Sequence, residues 1–253
     1  MQLNKKWEDV VLNNFNKASN EYNKNANIQK FFALRLAKEC SKRAIPGGVW
    51  ADLGTGTGLL ADELEKHNPN QKIIRIDRSS GMLSQQQKSS QTLLWDLNRG
   101  CPPWSKPPTL LASSFALHWL YKPNQRLQEW IKNLEHSGWL ALAVPVEKSF
   151  PEWQLAAKKA NVTFTGLILP SEQSIIDSLG SMKIHYQEIF EYTQKTKEVF
   201  SLLKPIIKIG AQASHETKLK TGELRRLIQA WPTSQNGTEV NLTWMVQMLI
   251  AQT

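Results

Sequence analysis

The run Val49-Trp50-Ala51-Asp52-Leu53-Gly54-Thr55-Gly56-Thr57-Gly58 sets three glycines at alternate positions between an apolar, β-rich stretch and a stretch of helical composition. Glycines reach backbone angles closed to other residues and leave N–H groups bare, so a ligand can lie against such a turn at the start of the helix. The G-x-G-x-G spacing is not the dinucleotide pattern, whose third glycine would fall where Leu59 stands, and a P-loop's Gly-Lys-Ser/Thr is missing. Asp52, just ahead of the first glycine, would repel a pyrophosphate and attract a cation. S-adenosylmethionine, a nucleoside sulfonium, is such a ligand.

Two further carboxylates extend this chemistry. Asp77 ends the next β-rich run, KIIRID, about 20 residues on, where an acid can accept both hydroxyls of a ribose; Arg78 follows it. Asp96 ends TLLWD, from where it can accept from an adenine amino group, with the Leu97 amide beside it as a donor to the ring. Either acid could equally serve as a helix cap.

Elements must hold these groups together. The β-rich runs VWADLG, KIIRID, TLLWDL, TLLASSF and WLALAVP alternate with helical segments, which predicts an α/β fold with a parallel sheet and crossovers. One long helix is expected before the first strand, closed by Pro46-Gly47-Gly48. Another starts at Pro123 and turns Leu127, Trp130, Ile131 and Leu134 to one side. Lys183 to Phe190 alternates as a strand and Val240 to Ile250 offers a last one. Between them lie two helix candidates, around Lys195 to Lys208 and Thr221 to Trp231, which read as a lid insertion. The expected units are 1–48, an N-terminal helical cap; 49–190, the α/β core; 191–239, the helical lid; and 240–253, the strand that completes the sheet.

The whole chain, 253 residues with 41% hydrophobic and 21% charged, can bury a real core, which excludes disorder and low complexity. Its longest apolar stretch, Leu140 to Val146, is far short of the roughly 20 residues a membrane helix needs. The amino terminus has no apolar run of the signal-peptide kind, so a cytoplasmic protein is expected. Cys40 and Cys101 give neither a disulfide framework nor metal-ligand spacing, and no metal is expected. The net charge of +9 is concentrated in residues 1–48 and 181–226, each with nine Lys/Arg against four and five Asp/Glu respectively. Such a field draws an acidic partner, although solvated helix faces account for charge runs as well.

With ADLGTGTG, Asp77 and Asp96 in place, the sequence resembles the class I S-adenosylmethionine-dependent methyltransferases. Three further stretches resemble one member family, the malonyl-acyl-carrier-protein O-methyltransferases of biotin synthesis. They are Phe15-Asn16-Lys17-Ala18 with Tyr22, Ala26 and Gln29; Ser114-Phe115-Ala116-Leu117-His118-Trp119; and Leu203 to Glu216 followed by Leu224 to Pro232. The family's usual Cys in the glycine loop is Thr55 here, and its common acid at the start of the fourth strand is Thr109.

The resemblance implies a Rossmann-like, mostly parallel sheet with an antiparallel last strand, an N-terminal helix and a helical lid. It implies S-adenosylmethionine as cofactor, lined by Asp52, Gly54, Thr55, Gly56, Asp77, Arg78, Asp96 and Leu97, closed by Tyr22, with the Ser113 to Phe115 turn beneath the methionine arm. The implied reaction is methylation of the free carboxylate of a malonyl thioester, whose carrier is an acidic acyl carrier protein bearing malonyl-phosphopantetheine. His118 and His215 are candidates for contact with that substrate; a satisfied polar residue at a helix start and an exposed loop histidine are the plainer alternatives. Lys204, Lys208, Arg225 and Arg226 could pair with phosphopantetheine or the carrier. Methylation of another small acid or of RNA is the rival reading, and the absence of aromatic and basic residues interleaved on one strand face argues against nucleic acid.

Overall fold

The computed structural model of the chain describes residues 2–208, 219–233 and 237–253. Two helices, α1 (Gln2–Asn25) and α2 (Asn27–Ser41), lead into β1 (Trp50–Leu53), α3 (Leu59–His67), β2 (Ile73–Asp77), α4 (Ser80–Leu83) and β3 (Gln91–Leu94). Then come β4 (Leu110–Ser114), α5 (Pro123–Asn133), β5 (Trp139–Pro145), α6 (Pro151–Ala160) and α7 (Glu172–Ser178). The chain closes with β6 (Lys183–Thr196), α8 (Val199–Lys208), α9 (Thr221–Gln229) and β7 (Val240–Gln252). Short 3₁₀ turns at Leu97–Arg99 and Leu117–Trp119 follow β3 and β4.

The seven strands are ordered β3-β2-β1-β4-β5-β7-β6, and β7 runs antiparallel to both of its neighbours. β1 is followed by β2 on one side and has β4 on the other, so the strand order reverses at β1 and opens a crevice at the carboxyl ends, where such sheets take ligands. All four residues of β1 are buried, as expected for a central parallel strand covered on both faces. On one face, α2, α3, α6, α8 and α9 share a core with Trp50, Leu110, Trp139 and Trp244. On the other, α5 and α7 press Leu127, Trp130, Ile175 and Leu179 onto Leu140, Leu142 and Leu249. Leu127 and Trp130 are fully buried; each contributes about 2 to 3 kcal/mol of apolar burial.

Two sequence expectations need adjusting. The leading helix is two helices, because the chain leaves helical geometry at Ala26 (φ −87°, ψ 48°). α2 buries Ile28, Phe32, Leu36 and Ala37 against the sheet, whereas α1 turns Val11, Leu12 and Phe15 over the carboxyl edge, and one straight rod cannot do both. The break carries no Gly or Pro. β6 also continues past Phe190 to Thr196, so the helices that follow begin later than the alternation suggests. The last two strands of the order are long, 14 residues in β6 and 13 in β7, against seven in β5. The register pairs Trp139 with Gln252 and Pro145 with Val246, so Val240 to Met245 run beyond β5 at the carboxyl edge, where their strand partner is β6, with a bridge from Val240 to Thr233 and bonds from the Val146 and Phe150 amides to Met245 and Thr243. α8 packs on β6 and β7, whereas α9 packs on α6.

Candidate functional site

The crevice predicted by the strand order is a cavity of about 970 Å³, open mouth included. Its floor is the glycine turn. The amides of Gly54 and Thr55 both donate to the Ile76 carbonyl (2.8 and 2.9 Å), which stitches the turn to β2. Gly54 has φ +74°, and a Cβ there would collide with the Ala116 Cβ, so the loop after β4 touches the bare backbone. Gly56 has φ +56° but open space where its Cβ would be, and it lines the cavity.

Asp77 closes the turn from the side. Its Oδ2 accepts from the Gly56 amide at 2.8 Å and its Oδ1 from the Ser79 amide at 2.7 Å. Each carboxylate oxygen keeps a lone pair for the cavity that Asp77 lines. Burial raises its pKa, opposed by the amides of Ser79, Gly56 and Arg78.

Asp52 lies deeper. Its Oδ2 accepts from the Thr55 hydroxyl at 2.8 Å, whereas Oδ1 is buried without a hydrogen bond of normal geometry among the described residues. Burial pushes its pKa up to about 7, aided by the charge of Asp77 and resisted by the Thr55 hydroxyl, the Arg75 charge and the Ala61 amide. A buried carboxylate half satisfied in this way is stabilised by a cation brought into the cavity.

At the opposite end, Asp96 Oδ1 accepts from the Asn98 amide at 3.0 Å and caps the 3₁₀ turn, so the capping alternative is realised while Asp96 and Leu97 still line the cavity. Arg78 lies in the wall and does structural work as well. It pairs with Glu8 (3.5 Å) and Asp9 (3.2 Å) on α1 and reaches Asp96 at 3.7 Å.

The roof is α1, whose Val11, Leu12, Phe15 and Tyr22 line the cavity. Its polar residues grip the cofactor half of the sheet: Asn16 accepts from Ser79 Oγ, Asn23 accepts from Thr57 Oγ1 and Asn20 accepts from Gln85 Nε2. Trp7 stacks with Trp119, which also meets the Phe15 ring edge-on. Burial, then the charge of Asp77, raises the Tyr22 pKa, so the phenol stays protonated.

The remaining sequence candidates fall elsewhere. Ser113 is buried and donates to the Leu53 carbonyl at 2.8 Å, tying β4 to β1, and it is not in the cavity lining. Its neighbour Ser114 is, with a buried hydroxyl that finds no partner among the described residues. Strand alternation explains the exchange: adjacent residues face opposite ways. His118 also sits outside the lining, wedged between the rings of Phe115 and Trp119 with Nδ1 unpartnered, and burial pushes its pKa down to about 3, so it stays neutral. It stands one layer behind the wall, as a polar residue at a helix start. His215 and the side chain of Lys208 lie outside the described residues. Lys204, Arg225 and Arg226 are exposed on α8 and α9, and no described residue of the 191–239 segment expected as a lid lines the cavity. Thr109 precedes β4, at the opposite end of that strand from Ser114, so the departure there does not touch the cavity. Gln29, which closes the motif around Tyr22, is buried with Oε1 unpartnered and joins the lining beside Ala33.

Three buried, unpartnered oxygens in the wall (Gln29 Oε1, Asp52 Oδ1 and Ser114 Oγ), an open approach at Gly56 and a paired acid at the ribose position fit a cationic adenosyl ligand. No group of His, Cys, Asp and Glu among the described residues could hold a metal ion, and no described helix is long and apolar enough to cross a membrane.

Comparison with known proteins agrees. Residues 51–142 match the methyltransferase domain family. The chain is 30% identical over 174 residues to the malonyl-[acyl-carrier protein] O-methyltransferase of Neorickettsia risticii, covering 66% of this chain and 67% of the relative. It is 21% identical over 250 residues to malonyl-[acyl-carrier protein] O-methyltransferase 2 of Coxiella burnetii, covering 96% and 95%. A solved protein of Bacillus halodurans C-125, described as a methyltransferase, superposes with a TM-score of 0.60 at 16% identity over 86% of this chain and 97% of its own, which speaks to the fold. Motif, topology and kinship lead to one assignment: the chain belongs to the class I S-adenosylmethionine-dependent methyltransferases, and S-adenosylmethionine is its cofactor.

Proposed function

We propose that this methyltransferase esterifies the free carboxylate of a malonyl thioester carried by an acidic acyl carrier protein. The observation that carries the reading is the likeness to relatives of that name, which for the Coxiella burnetii protein runs through α8 and α9 as well as the cofactor half. The site supports it. The cofactor supplies an electrophilic methyl group. A malonyl carboxylate is already ionised at neutral pH, so its oxygen can form the new bond to carbon as the carbon–sulfur bond breaks, with no proton to remove. Side chains then have only to place the reactants and exclude water.

The apolar roof of Leu12 and Phe15 and the aromatic wall of Phe115 and Trp119 suit that task, and Tyr22, kept protonated, can donate a hydrogen bond. Within this reading Asp77 takes the ribose, Asp96 and Leu97 the adenine edge, and Asp52 and Ser114 the methionine arm. Exposed Lys204, Arg225 and Arg226 on α8 and α9 offer positive charge to the carrier.

The test is methyl transfer from labelled cofactor to malonyl-carrier protein, malonyl-coenzyme A, free malonate and a monoacyl-carrier protein without the free carboxylate. Base-labile label on the malonyl thioesters alone is expected. Equal labelling of the monoacyl carrier removes the ester reading.

A further inference from the structure

Arg75 is a buried cation that neither the cofactor motif nor the substrate reading uses. It sits on β2 in register with Asp52 of β1, so both side chains leave the same face of adjacent strands. Its guanidinium forks to two acids of α3, Nη1 to Asp62 Oδ1 at 2.6 Å and Nη2 to Glu65 Oε2 at 2.8 Å. Glu65 in turn accepts from the Ile73 amide at 3.0 Å. Nη1 also donates to Gln86 Oε1 at 3.3 Å, and Gln86 Nε2 donates to the Gly56 carbonyl at 2.8 Å. The cluster presses on the turn itself: a Cβ at Gly58 would stand 2.6 Å from Arg75 Nη1 and 3.2 Å from Gln86.

We propose that Arg75 is a positioning residue of the cofactor site, holding the glycine turn from behind through Gln86 and providing the counter-charge for Asp52. The fork fixes α3 to β2, and both flank the turn. The bond from Gln86 orients the Gly56–Thr57 peptide through its carbonyl, while the amide of the preceding peptide, the Gly56 N–H, is held by Asp77. One cation thus governs the direction of the peptide facing the ligand and the charge of the acid beneath it. The charged groups around Asp52 are Arg75, Asp77 and, beyond Arg75, Asp62 and Glu65; α2 meets the same cavity with uncharged Gln29 and Ala33, and α1 with protonated Tyr22.

Two measurements on the full chain test this. In Gln86→Ala, which removes both Gln86 hydrogen bonds but leaves the fork of Arg75 to Asp62 and Glu65 intact, titration with S-adenosylhomocysteine should show binding about three- to tenfold weaker, with Asp52 titrating as in the parent. In Arg75→Met, carboxyl ¹³C NMR of the cofactor-free protein should show Asp52 titrating at higher pH, and Arg75→Lys should restore the midpoint while binding as weakly as Gln86→Ala. The proposal is overturned if Gln86→Ala binds like the parent, or if Arg75→Met loses stability while Asp52 titrates where it did. The NMR titration needs no cofactor, so its outcome is independent of the assigned reaction.

Discussion

Asn16 on the first helix and Ser79 after the second strand are joined at 2.6 Å, the serine hydroxyl donating to an amide oxygen that also receives the Gly81 amide at 3.0 Å. A single side chain thereby docks the roof to the element that carries Asp77. Asn16→Ala should remove about 1 to 2 kcal/mol of this docking. Faster amide exchange in residues 7–25 and faster cofactor release are expected, and unaltered exchange together with an unaltered off-rate would refute the docking role.

The glycines of the turn should separate folding from binding. Gly54→Ala drives a methyl group into Ala116 at a left-handed φ, and should cost at least about 2 kcal/mol in a denaturant melt. Gly56→Ala meets open space, so its stability cost should be about 1 kcal/mol of strain, while cofactor affinity falls more than tenfold because the methyl group enters the ligand's volume. A Gly56→Ala protein that binds cofactor normally would show that the ligand does not cross this turn.

Asp52 makes affinity depend on pH. Its folded value, about 7, lies above the ordinary carboxyl value of roughly 3.9, so between them the cofactor-free protein holds a proton that the unfolded chain has lost. The stability this group contributes is full below that range and is lost as pH rises through 7. Cofactor affinity runs the other way, because the sulfonium prefers the ionised acid: it should climb through about pH 7 and level off above. S-adenosylhomocysteine, without the sulfonium charge, should show a shallower climb, and Asp52→Asn a flat one. Parallel pH profiles for the two ligands would contradict the charge pairing.

Asp77 has two tasks, and its variants should part them. Asp77→Ala loses the ribose acceptor and frees the Gly56 amide, for a loss of roughly 2 kcal/mol or more in cofactor binding. Asp77→Asn can still accept one of the two backbone bonds and should fall between. Isothermal titration distinguishes them, and equal binding by all three proteins would remove Asp77 from the site.

Most of the frame was legible because period and punctuation agree there. The five parallel runs, the glycine turn, the acid ending β2 and the acid just after β3 are local signals, and the structure brings Asp52, Asp77, Arg78, Asp96 and Leu97 into one cavity wall. What escaped was set by tertiary contact. The bend at Ala26 has no breaker residue, and it exists because two faces of one helical stretch need different neighbours. Ser114 rather than Ser113 faces the cavity, a one-residue phase that composition cannot fix. His118 reads as chemical by type, yet neighbouring rings seal it away. Arg75 and Gln86, 11 residues apart in sequence, meet only through the fold.

The roof precedes in the chain everything it rests on. Thr57, Arg78, Ser79, Gly81, Gln85 and Trp119 are all downstream of the helix they receive. During synthesis that amphipathic segment emerges with no surface to lie on, and lone helices are marginal in water. The surface it rests on is incomplete until β4 and the Trp119 turn, beyond the third crossover, have left the ribosome, so the pocket can mature only after that point.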